Sequence, residues 1–138
     1  MKLALVFCLF LVACGGGALQ TISISNQTPR TIKELYVYPV GSKDRGKSRG
    51  SLAPSAGTNV QMPSGNVEVY AVSEMVKIDD HTRDVPTVTQ ALELTRPLQV
   101  IFYDNGNKPE SASRPNVIGV VFTLAEKKPP PLEDAPAP

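Results

Sequence analysis

The chain has no tryptophan, one histidine and two cysteines, Cys8 and Cys14. With four tyrosines, four phenylalanines and a net charge of +1, it has neither the interleaved aromatics nor the field of a nucleic-acid track. Nucleic acid is not an expected partner. Between residues 19 and 125 no stretch carries apolar residues at helical spacing over three turns, so a helical or crossover α/β fold is not expected. The uncharged run from Leu3 to Ala13 is also short. At 1.5 Å per residue it cannot cross a hydrocarbon core of about 30 Å, which excludes an ordinary membrane-spanning helix there.

What the beginning does contain is one cation, Lys2, then that apolar run, then "CGGG". This is the order of an export signal. The quartet Leu11-Val12-Ala13-Cys14 resembles the lipobox of bacterial lipoproteins. The resemblance covers the first fourteen or fifteen residues and implies cleavage before Cys14. It further implies diacylglyceryl attachment to the Cys14 sulfur and acylation, with palmitate for example, of the new amine. Gly15 in place of Asp at the next position implies sorting to the outer membrane if the source is Gram-negative. Cysteine usage agrees: Cys8 leaves with the signal, and a mature chain with one thiol cannot form an internal disulfide. Two or three acyl chains, at about 0.8 kcal/mol per buried methylene, would hold the protein at a membrane almost permanently.

The expected organisation is a signal over residues 1–13, a lipidated cysteine and glycine spacer over 14–18, one domain over 19–125 and a tail over 126–138. The tail, "KKPPPLEDAPAP" with the residue before it, is too proline-rich to pack and is expected to be extended and disordered.

Within the domain, period-two alternation replaces helical spacing. Ile22 and Ile24 alternate with Thr21, Ser23 and Ser25; Leu35 and Val37 with Tyr36 and Tyr38; Val67, Val69 and Ala71 with Glu68 and Tyr70. Each pattern predicts a strand with one buried face. "LQVIFY" and "VIGVVFTL" are more continuously apolar and suit central strands. Clusters such as "SNQTPRT", "PSGN", "DDHTRD" and "DNGNKPE" end the strands, because Gly, Asn and Asp tolerate positive φ while Pro removes a ladder donor. Seven or eight short strands predict an all-β fold, a small antiparallel β-sandwich.

From "SNQTPRTIKELYVYPVGS" to "LAPSAGTNVQMPSGNVEVYAV" the chain also resembles a small domain of secreted and lipid-anchored bacterial proteins. Asn26, Thr28, Ile32, Leu35, Pro39, Gly46, Leu52, Pro54, Gly57, Pro63, Gly65 and Tyr70 are among the matching positions. Where that pattern has a Trp-Gly pair, this chain has Arg45-Gly46. The resemblance implies a β-sandwich and no catalytic residues.

Residues 41–48, "GSKDRGKS", fit the phosphate-loop pattern G-x-x-x-x-G-K-[ST]. Such a loop needs a following helix whose N-terminal N–H groups hold the phosphates. Here Gly50, Pro54 and Gly57 follow, and glycine and proline are the poorest helix formers. The match arises by chance in roughly one chain of this length in a few hundred. No nucleotide is expected. The same stretch gathers Lys43, Arg45, Lys47 and Arg49, read as a mobile, solvated loop that can touch anionic headgroups or glycans.

Asp79, Asp80, His81 and Asp84 gather in "DDHTRD", but they share one turn with Arg83, and a metal site needs three or four ligands converging from a rigid frame. No metal or cofactor is expected. "DNGN" at 104–107 lacks the closing Glu of a calcium loop and reads as a turn. No serine sits in a nucleophile elbow, so the chain is not expected to be an enzyme. The expectation is a lipid-anchored protein of the bacterial cell envelope, its sandwich a structural or interaction module with an envelope protein or glycan as partner. The alternative is an accessory lipoprotein that binds a metal or small ligand through its Asp-rich loops.

Overall fold

A computed structural model describes residues 18–124. The expected signal, Cys14 and the proline-rich tail lie outside the described residues. Nine strands follow in order: β1 (Leu19–Asn26), β2 (Ile32–Pro39), β3 (Gly57–Pro63), β4 (Gly65–Ser73), β5 (Val76–Lys77), β6 (Arg83–Asp84), β7 (Thr87–Leu94), β8 (Leu98–Asp104) and β9 (Val117–Phe122). A 3₁₀ turn, Glu110–Ser113, interrupts the connection from β8 to β9. The all-β expectation holds: seven strands of six to nine residues build the fold, and β5 and β6 form a small hairpin beside it.

The seven strands make two sheets, ordered β3-β1-β8-β9 and β2-β4-β7. Alternation explains which side of each strand meets the other sheet. In β4, Val67, Val69, Ala71 and Ser73 are buried while Glu68, Tyr70 and Val72 face outward. Ile22, Ile24, Val60, Val100, Phe102, Val120 and Phe122 from the first sheet meet Leu35, Val37, Val67, Val69, Leu92 and Leu94 from the second in one apolar cluster. Burial of each such side chain contributes about 1.5–3 kcal/mol. The Phe102 and Phe122 rings pack within it, toward the end where β1 and β8 finish, with centroids 5.7 Å apart.

The sandwich is not wholly antiparallel. β1 and β8 pair in parallel, Ile22 beside Leu98, and β8 and β9 pair in parallel, Gln99 beside Val117. β8 is central, as its apolar run suggested, but β9 is an edge. Its continuous apolar character has another cause: the β8–β9 crossover lies over its outer side, with buried Ala112 and the Tyr103 ring against Gly119.

One end of the sandwich is closed by buried polar groups. Asn26, fully buried, donates from Nδ2 to the Arg30 and Leu52 carbonyls at 2.7 and 2.9 Å, while its Oδ1 accepts from the Thr28 N–H and hydroxyl. Arg30 then reaches across to Asp104 with two parallel bonds of 2.7 and 2.8 Å, and its Nε donates to Ser73 Oγ at 2.8 Å. Asp104 therefore belongs to the interior rather than to an open turn.

Candidate functional site

The outward alternates of β2 and β4 assemble a tyrosine surface. Tyr36 lies directly opposite Tyr70 and Tyr38 opposite Glu68 in the β2–β4 register. The Tyr36 and Tyr70 rings are 5.9 Å apart and tilted by 38°. The loop of residues 40–49 folds back over this surface rather than standing away from it. Arg49 N–H donates to the Leu35 carbonyl at 2.6 Å, and the Leu35 N–H donates to Ser48 Oγ at 3.3 Å. Between these anchors Arg45 lays its guanidinium 3.9 Å above the Tyr70 ring. A cation over a tyrosine face contributes about 0.5–1 kcal/mol at an exposed site.

The four loop cations therefore have different surroundings. Arg45 caps Tyr70. Arg49 turns to the flank of the sandwich, where its Nη2 lies 3.4 Å from the Val37 carbonyl and 3.6 Å from Met62 Sδ. β2 and β3 are edge strands of the two sheets on that flank, and the loop covers the gap between them. Lys43 lines two recesses, one of about 570 Å³ toward Tyr36, Tyr38 and Glu68, and one of about 560 Å³ toward Val37 and Met62, which Lys47 shares. Both are open recesses at the surface rather than enclosed cavities.

Electrostatics on this face hold the phenols protonated. Tyr36 donates its hydroxyl to Glu34 Oε1 at 2.6 Å, and this bond, with minor burial and the Glu34 charge, raises its pKa above the ordinary tyrosine value. Burial chiefly raises Tyr38, with a further push from Glu68 and a partial offset from Arg45. At neutral pH both are donors with flat apolar rings beside an arginine fork. Such a surface can stack on an apolar plane and grip a carboxylate with two N–H groups, while the phenol protons are engaged by Glu34 and Glu68.

The remaining sequence candidates lie elsewhere. No helix follows the phosphate-loop match: residues 50–56 make a loop with one isolated bridge, Leu52 to Ile32, and β3 begins at Gly57. Asp79, Asp80, His81 and Asp84 sit at the β5–β6 hairpin, where Asp79 Oδ1 accepts from the His81 N–H at 2.8 Å and Asp80 lies 3.7 Å from Lys77. Among the described residues, no three His, Cys, Asp or Glu side chains are placed to hold a metal ion. Asp104, first of "DNGN", is engaged by Arg30, and Asn105 Oδ1 accepts from the Leu124 N–H at 3.0 Å.

Sequence reading passed over Tyr36, Tyr38 and Tyr70 as site residues. Their signal was the same alternation that marked the strands, since period two puts all three on the solvent side. No family model matches the chain, and no curated protein or solved structure matches it.

Proposed function

We propose that this protein is a lipid-anchored module of the bacterial cell envelope whose non-catalytic sandwich recognises an acidic glycan through its tyrosine–arginine face. The observation that carries the reading is Arg45 held 3.9 Å over Tyr70 beside the Tyr36 ring. An ordered cation on an aromatic platform suits a sugar chain: the rings meet the apolar faces of the sugars, and the guanidinium meets a carboxylate. The raised phenols stay neutral at pH 7 and add no negative charge that would repel a carboxylate. The quartet ending in Cys14 supports the anchor, which would place the module in the outer membrane of a Gram-negative host.

Two measurements test the two halves. Palmitate incorporation and the intact mass of the mature protein report the anchor. For the module, the expected result is retention on polygalacturonate but not on neutral dextran, with affinity falling about tenfold when Tyr36→Ala is combined with Arg45→Ala. That factor corresponds to about 1.4 kcal/mol. Equal retention of parent and variant, or equal binding to both polymers, overturns the glycan reading.

A further inference from the structure

The end of the sandwich where the chain enters differs in chemistry from the opposite end. Leu19 starts β1 and pairs with Pro63, and Ser64 in the β3–β4 hairpin donates its N–H to the Ala18 carbonyl at 3.0 Å. The end of β2 lies alongside, where the Val40 N–H donates to the Asn66 carbonyl at 3.0 Å. The β7–β8 turn and the start of β9 complete this end, joined by Arg96 Nη1 donating to Asn116 Oδ1 at 3.0 Å, with Arg114 two residues earlier. Two of the exposed large apolar side chains, Leu19 at 60% and Val40 at 48%, stand at this end, which also carries Arg96 and Arg114. Glu93, near the end of β7, is the nearby carboxylate. The opposite end holds the β5–β6 hairpin, where Glu74, Asp79, Asp80 and Asp84 outnumber Lys77 and Arg83.

We infer that the entry end is a docking surface for an anionic phospholipid bilayer, and that the domain stands on it end-on with the tyrosine–arginine face turned sideways. This rests on the proposed anchoring of Cys14. Five residue steps separate Cys14 from Leu19, and even fully extended they span at most about 18 Å. β1 itself, eight residues long, spans about 27 Å. The tether therefore keeps Leu19 beside the headgroups, and charge decides which surface meets them. Arg96 and Arg114 are attracted to an anionic surface, whereas the acidic hairpin is repelled from it. Leu19 and Val40 enter the interface with them, burying side chains that water otherwise surrounds.

The test uses the chain from Cys14 onward, which keeps every described residue of the sandwich, with one myristoyl-length thioether made chemically on Cys14. One acyl chain binds membranes only marginally, so any docking by the domain shows in the affinity. Vesicles containing one third phosphatidylglycerol are expected to bind about tenfold more tightly than pure phosphatidylcholine at low salt. Arg96→Glu with Arg114→Glu abolishes that preference, while Lys77→Glu with Arg83→Glu at the far end leaves it unchanged. Leu19→Ser with Val40→Ser, at exposed positions that leave the core intact, weakens binding to both vesicles several-fold. Hydrogen exchange on the bound protein slows at residues 63–66 and 95–98 and not at 78–82. Equal affinity for the two vesicles, equal effects of the two charge reversals, or protection at the hairpin instead overturns the inference. Because the acyl chain is added by chemistry, failure here is distinct from failure of the anchor, which palmitate incorporation reports.

Discussion

At the scale of single residues, the polar closure of the sandwich turns on pairs far apart in sequence. Arg30 and Asp104 are 12% and 6% exposed, and both Asp104 oxygens accept from the guanidinium. Two charges taken this far from water are tolerated because each is the other's partner; a buried pair stripped of one member leaves an uncompensated charge. Asp104→Ala is therefore expected to lower stability by about 3 kcal/mol, read as a shift of the urea midpoint at unchanged slope. A loss below about 0.5 kcal/mol would mean that water replaces the carboxylate freely. None of this was legible in "VIFYDNGN", where an aspartate before Asn-Gly has every mark of a turn residue. Its partner lies in a loop after β1, and local sequence holds no signal for such a distant match. Asn26 was read as part of a turn, whereas it closes β1 beside Phe102, and its complete burial was hidden for the same reason.

At the scale of elements, alternation revealed almost everything about β1, β2 and β4, because a strand with one wet face writes its orientation into every second residue. It failed on β9, where a covered outer face erases the polar alternates and makes an edge strand look central. The basic loop shows a further limit. Four cations in seven residues look like one patch, yet Arg49 serves the flank and Arg45 the tyrosine face, since the direction of a side chain in irregular backbone has no period. Pairing geometry also sets demands that composition cannot show. A Cβ on Gly57, at the start of β3, would lie 2.9 Å from the Ile24 carbonyl oxygen of β1, which is backbone and cannot swing aside. Gly57→Ala must push the two strands apart at the Ser25–Gly57 pair. The expected cost is about 1–2 kcal/mol in chemical denaturation. Faster amide exchange should be confined to the Ser25 end of the β1–β3 ladder. Exchange unchanged there would show that β3 shifts without loss.

At the scale of the whole molecule, the two parallel ladders decide both the route of the chain and the order of its assembly. Because β8 and β9 run the same way as β1, the chain enters at one end and Phe122 completes β9 at the other, beside the Arg30–Asp104 closure. The choice of parallel pairing was invisible in sequence because a strand's pattern is the same whichever way its neighbour points. The sheet β2-β4-β7 needs only antiparallel partners at modest separation, Pro39 with Val67 and Gly65 with Leu94. The other sheet must bring Leu98 to Ile22, closing a loop over most of the domain before the ladder repays its entropy. Refolding is accordingly expected on the millisecond-to-second scale, with the β2-β4-β7 sheet formed in the transition state and β1 docking after it. Two core substitutions separate these stages. Val69→Ala, in the centre of β4, should slow refolding by most of its effect on stability. Ile24→Val, in β1 between β3 and β8, removes one buried methylene, worth about 1 kcal/mol, and should instead raise the unfolding rate about fivefold. Stopped-flow chevrons on the two variants decide the matter. If Ile24→Val slows refolding by that full factor, the long closure belongs to the nucleus and the order of the sheets is reversed.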